Sequence, residues 1–157
     1  MTRVVIEQLL YAMDEACENN PFHALVKNLQ SVGEDDWRWV APDGVRSIFD
    51  IVEHVAGNKF VYDSQVFGDR SISWAKPGPL PANDKPASMI EWLRAGQTLW
   101  RDSIAALPDD EELTKNRMAP WGTEANTRWL IVNMIQHDLY HSGEINYIRA
   151  LKQRNDG

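Results

Sequence analysis

Four stretches of this chain repeat apolar residues every three or four positions, and none alternates apolar and polar with period two over a useful length. A helix turns the same face to a core about every 3.6 residues and a strand every two. The pattern therefore predicts an all-α chain without a sheet, built as a four-helix bundle. At 157 residues it is expected to form one domain spanning residues 1–157.

Between residues 2 and 19, Val5, Ile6, Leu9, Leu10, Met13 and Cys17 mark one helical face. Asn19-Asn20-Pro21 interrupts it. Proline suits a first helical position after an Asn cap, so a second segment is expected from 21 to 32, with Leu25, Val26, Leu29 and Val32 inward and Gly33 closing it. The first helix is thus kinked or broken near Pro21. Residues 34–45 read as a loop that tucks Trp37 and Trp39 against the core. Ser47 begins the next helix, with Asp50 three residues on completing a capping box and Gly68 ending it. Ile48, Ile51, Val52, Val55, Lys59, Tyr62 and Val66 share its inner side. Residues 69–86 hold Pro77, Gly78, Pro79, Pro81 and Pro86, which predicts a long loop, and loops of that length are often functional. A helix from Ala87 to Leu107, stopped by Pro108, and a loop over 108–122 follow. The last helix is expected to start at Thr123 as N-cap and run to about Lys152.

Composition excludes several functions. The formal net charge is −7, whereas a nucleic-acid binder needs a basic face to displace counterions, and an anionic membrane repels an acidic protein. No window reaches the run of about 20 apolar residues that a membrane span needs. Glu7 and Gln8 break the N-terminal apolar stretch too early for a signal peptide. The single cysteine, Cys17, can make no intramolecular disulfide, which fits a reducing compartment. Its phase with Leu10 and Met13 makes it a small buried hydrophobe. The expectation is a cytoplasmic domain.

Two of the four histidines, His137 and His141, stand one turn apart on the last helix. At about 100° per residue both fall within about 20° of Leu130, in the middle of the apolar stripe. A pair of imidazoles there is satisfied either by backbone and carboxylate partners or by a shared cation. His54 lies at the edge of the apolar stripe of the second long helix, and a bundle projects such side chains from facing helices into one centre. Together the three offer three nitrogens and leave a position for water or substrate, the catalytic pattern rather than the closed structural one. His23, beside Pro21 and Phe22, reads as a surface residue. Glu144, three residues after His141, is the candidate catalytic group: it could orient a histidine, bind a metal water or accept a proton. Asn58, one turn after His54, could bond a substrate or a ligand, and Asp50 and Asp138 are weaker candidates. Among the seven tryptophans, Trp92, Trp100 and Trp129 are expected in the helix core, while Trp74 and Trp121 could wall a pocket.

The segment Ser47-Ile48-Phe49-Asp50-Ile51-Val52-Glu53-His54-Val55 resembles the second-helix motif of the DinB-like (YfiT-like) superfamily. The segment His137-Asp138-Leu139-Tyr140-His141-Ser142-Gly143-Glu144-Ile145 resembles its last-helix motif, H-x-x-x-H-x-G-[QE]-I, and Arg46 stands where members often carry Trp. The resemblance implies an up-down-down-up four-helix bundle with a divalent metal (zinc, nickel or iron) on His54, His137 and His141. It further implies a transferase acting on a low-molecular-weight thiol. A hydrolase using a metal-activated water, and a non-catalytic metal-binding or ligand-sensing bundle, remain alternatives. Related bundles pair, so a homodimer is also expected.

Overall fold

The computed structural model describes residues 2–157. Its described elements are helices α1 (Val4–Asp14), α2 (Leu25–Leu29), α3 (Glu34–Trp37), α4 (Ile48–Val66), α5 (Pro86–Ala105) and α6 (Thr127–Asn155), with strands β1 (Asn116–Met118) and β2 (Glu124–Asn126). Among these residues no helix is long and apolar enough to cross a membrane.

The break in the first helix is more gradual than the proline implies. α1 passes into a π-helical turn over Glu15–Asn19, and regular helix resumes only at Leu25. α1 also lacks a cap of its own. Asp110 supplies it from the distant 3₁₀ turn Asp110–Thr114, accepting hydrogen bonds from the backbone N–H of Val5 (3.2 Å) and Ile6 (3.0 Å). α4 begins as expected, with Ser47 and Asp50 in a reciprocal capping box. It does not end on a left-handed glycine at 68: the positive φ falls on Arg70 (63°) instead.

Four expectations are corrected, three of them in the chain's C-terminal half. A sheet exists: β1 and β2 pair antiparallel with Arg117 opposite Ala125. Strands of three residues are too short to show period two, so the sequence could not announce them. The turn between them uses Gly122 at φ +89°, a conformation glycine takes without steric cost. Because residues 124–126 are strand, α6 starts at Thr127 rather than at a Thr123 cap; the Thr127 hydroxyl donates to the Lys115 carbonyl at 2.7 Å. The 34–45 loop likewise contains the short helix α3. Trp129 is half exposed rather than core.

The buried apolar side chains form two clusters. One gathers Cys17, Leu25, Leu29, Ile48, Ile51, Val52, Val55 and Ala56 of α4, Met89, Leu93, Ile145 and Ile148. The other gathers Ile6, Leu10, Met13, Tyr62, Val66, Trp100, Ile104, Leu130 and Met134. Each long helix contributes to both, and between its two contributions carries buried polar residues. These are Asn58 and Lys59 on α4, Gln97 on α5, and Asp138, His141 and Ser142 on α6. A polar layer therefore cuts across the core. Its strongest element is the Lys59–Asp138 ion pair, both side chains 1% exposed, with Nζ donating to both carboxylate oxygens at 2.8 Å. Gly96 lets α5 approach this layer, since a Cβ there would meet the Phe60 ring at 2.9 Å and the Lys59 Cβ at 3.1 Å.

The 67–85 connection is tethered by indoles. Trp37 donates to the Asp84 carbonyl (2.9 Å), Trp92 to the Pro79 carbonyl (2.6 Å) and Trp74 to the Asn58 side-chain oxygen (2.7 Å). Three of the seven tryptophans thus have a structural reason: a large apolar side chain with one N–H donor ties an irregular segment to the helices.

Removing one member of a buried ion pair strands the other's charge. Lys59→Met is expected to lower unfolding free energy by about 3–5 kcal/mol in urea titrations, and the Lys59→Met/Asp138→Leu double variant to recover most of that loss. Equal destabilisation in single and double variants would refute the assignment.

Candidate metal centre

The capping box fixes the start of α4, which sets the phase that turns His54 toward α6. The stripe of α6 does the same for His137 and His141. The three side chains meet: His54 Nε2 lies 3.0 Å from His137 Nε2, which lies 3.2 Å from His141 Nε2. His54 is on the exposed side, His137 half-buried and His141 buried. Each offers one ligand atom to a common point, with all three atoms within 4.8 Å of one another. His23 is exposed and lies outside this group.

Protonation states follow from the neighbours. His141 Nδ1 stands 2.8 Å from Glu144 Oε2. A carboxylate only accepts, so Nδ1 carries the proton and Nε2 presents its lone pair to the centre. Burial lowers the pKa of all three rings; for His54 and His137 repulsion from neighbouring imidazoles adds to it, while Glu144 opposes the shift at His141. His137 is driven down to about 3, by burial first and then by His141, His54, Lys59 and Arg46. The rings are neutral at pH 7, the form that binds metals. His137 Nδ1 is buried with no hydrogen-bond partner.

This donor set fits a cation. Three nitrogens crowd edge to edge with few protons to share among them. Spacings near 3 Å suit nitrogens bound to one divalent ion at roughly 2.0–2.1 Å. Three neutral nitrogens suit zinc, nickel or iron and do not choose among them.

The surrounding residues sort the other candidates. Glu144 is gripped by Arg46, whose Nε and Nη2 donate to its two oxygens at 2.8 and 3.1 Å. Sequence reasoning noted Arg46 only as a departure from a motif; its bidentate reach to Glu144 on α6 has no local signal. Asp50 is committed to Ser47 and Asp138 to Lys59. Asn58 is buried, at 6% exposure, with Nδ2 at 3.3 Å from His54 Nε2 and 3.4 Å from His137 Nε2. Burial raises the pKa of the Cys17 thiol, which keeps it protonated and unreactive.

A cavity of about 420 Å³ opens beside His54 and Asn58, walled by Phe60, Trp74, Leu80 and Trp92. Another, of about 500 Å³, lies between the 39–44 segment and the end of α6 and holds none of the histidines.

A family model described as mycothiol-S-transferase matches residues 18–153. The chain belongs to that family. No curated protein matches the sequence. The match spans all three histidines, Arg46, Asn58 and Glu144. As a DinB/YfiT-like family, the mycothiol-S-transferases agree with the superfamily to which the two histidine motifs pointed.

Two outcomes test this geometry. Removing a group that holds a ligand imidazole typically weakens metal binding roughly ten- to hundred-fold. Glu144→Ala is expected to do so in a zinc competition titration, and unchanged affinity would exclude an orienting role. For pH, the unfolded chain protonates these rings near 6.5 and the folded chain only below that, so the unfolded state binds more protons and stability falls as the pH is lowered. The midpoint temperature of chelator-treated protein is expected to drop between about pH 7 and pH 5, less steeply in His137→Phe. A midpoint that rises on acidification would contradict it.

Proposed function

We propose that this protein is a divalent-metal-dependent thiol S-transferase whose metal ligands are His54, His137 and His141. The convergence of three neutral imidazole nitrogens beside an apolar cavity carries the reading, and membership of the mycothiol-S-transferase family supports mycothiol as the thiol. His54, His137 and His141 would hold the cation, and a thiol entering beside it would have its pKa lowered and be available as thiolate near neutral pH.

The chain's own residues supply position and exclusion. Glu144, held by Arg46, fixes His141 in the tautomer that aims Nε2 inward; of the three roles open to this carboxylate, orientation is the one its contacts favour. The Trp74, Phe60 and Trp92 rings offer an apolar wall for the electrophilic partner. In the transfer the sulfur forms the new bond to carbon, the thiol proton passes to solvent, and the leaving group departs with its bonding pair.

We read the architecture as a single up-down-down-up bundle. α6 meets the second apolar cluster before the first, as does α1 taken with the π-helical turn after it that carries Cys17, whereas α4 and α5 meet them in the opposite order. A same-direction α4–α5 pair requires the chain to travel back along the helices, which accounts for the length of the 67–85 segment.

Protein purified without a His tag and loaded with zinc, nickel or iron is expected to hold one equivalent, and His137→Ala to hold none. The loaded protein is expected to consume mycothiol faster than bacillithiol or glutathione in the presence of an alkylating electrophile. A loaded protein that turns over none of the three thiols would leave a non-catalytic metal-binding bundle.

A further inference from the structure

Asn58 has two distinguishable ends. Its side-chain oxygen accepts a hydrogen bond from the Trp74 indole N–H at 2.7 Å. An indole nitrogen can only donate, so the atom facing it must be the amide oxygen. That fixes the flip of the amide and turns its NH2 group the other way, to within 3.3 and 3.4 Å of the Nε2 atoms of His54 and His137. His141 Nε2 is a bare lone pair. The amide donor therefore points at the place where the three imidazoles converge. At 6% exposure the side chain is shielded from bulk water.

A donor that ligand nitrogens alone would satisfy needs no such orientation from a separate loop. We propose that Asn58, oriented by Trp74, is a positioning residue that donates a hydrogen bond to the anionic atom of the small ligand sharing the cation with the three histidines. The inference rests on the metal assignment above and deepens it: under the thiol-transferase reading the anionic atom is the thiolate sulfur. An N–H bond to a thiolate favours the deprotonated form and fixes the direction of the sulfur lone pairs. Trp74 also walls the adjoining cavity, so one side chain both orients the donor and lines the space an electrophile would enter.

The test uses full-length protein loaded with cobalt(II) and two probes, 2-mercaptoethanol and azide, each followed by its ligand-to-metal charge-transfer band. Asn58→Leu keeps the side-chain volume close and removes the donor. Trp74→Phe keeps the amide but frees its flip, and its exposed site makes it tolerant should Asn58→Leu fail to fold. Both variants are expected to keep one equivalent of cobalt. Loss of a hydrogen bond to a charged group predicts roughly ten- to hundred-fold weaker probe binding in Asn58→Leu, and a smaller loss in Trp74→Phe. The band is also expected to move to lower energy, because the bond stabilises the donor orbital from which the transition starts; a merely structural role for Asn58 would not shift it. Wild-type affinity and band position in both variants would overturn the proposal, as would wild-type protein that holds cobalt but takes neither probe. If azide alone binds, and binds more weakly to the variants, the role of Asn58 stands and the thiol reading falls.

Discussion

The buried ion pair between Lys59 and Asp138 is the interaction around which the rest of this molecule is arranged. Two opposite charges in an apolar interior tolerate little displacement, because each depends on the other for the solvation it has lost. The pair joins α4 to α6 at one level of the core. It lies directly in sequence beside Asn58 and His137, so fixing the pair fixes the phase of both helices where the imidazoles must meet. The apolar clusters on either side are ordinary packing and define no unique register by themselves; the polar layer between them does.

A second constraint comes from the indoles. A connection as long as 67–85 would be free to move if nothing satisfied its backbone. Trp37 and Trp92 donate to its carbonyls, and Trp74, which belongs to it, donates to Asn58 on α4. These bonds hold the segment over His54 and make a walled cavity beside the histidine cluster. The same contacts explain why Trp74 is exposed on one side and yet tied on the other.

Electrostatics at the centre run in one direction. Burial keeps the three rings neutral, and the carboxylate nearby approaches only the far nitrogen of His141. Arg46 holds that carboxylate in place. The chain thus presents lone pairs inward and places its counter-charges outside the point of convergence, which is the polarity a cation requires.

Much of this was legible in the amino-acid order. Helical phase alone located the long helices, the capping box at Ser47 and Asp50, and the stripe that carries His137 and His141, because these depend on residues within a few positions of one another. The same local logic missed the hairpin at 116–126, whose strands are too short to have a period, and misplaced the start of α6 by the length of the second strand. The motifs around His54 and His137 also pointed to the DinB-like superfamily, with which the matched family agrees. What the order of residues could not supply was distance between segments remote in the chain. That Asp110 caps α1, that Arg46 reaches Glu144, that Lys59 is buried against Asp138 and that Trp74 turns Asn58 toward the histidines all depend on contacts spanning sixteen to more than a hundred residues. Sequence determined which side of each helix faces inward; only the packing of the helices decided which inward groups touch, since that depends on their relative height and rotation, and no local pattern encodes either.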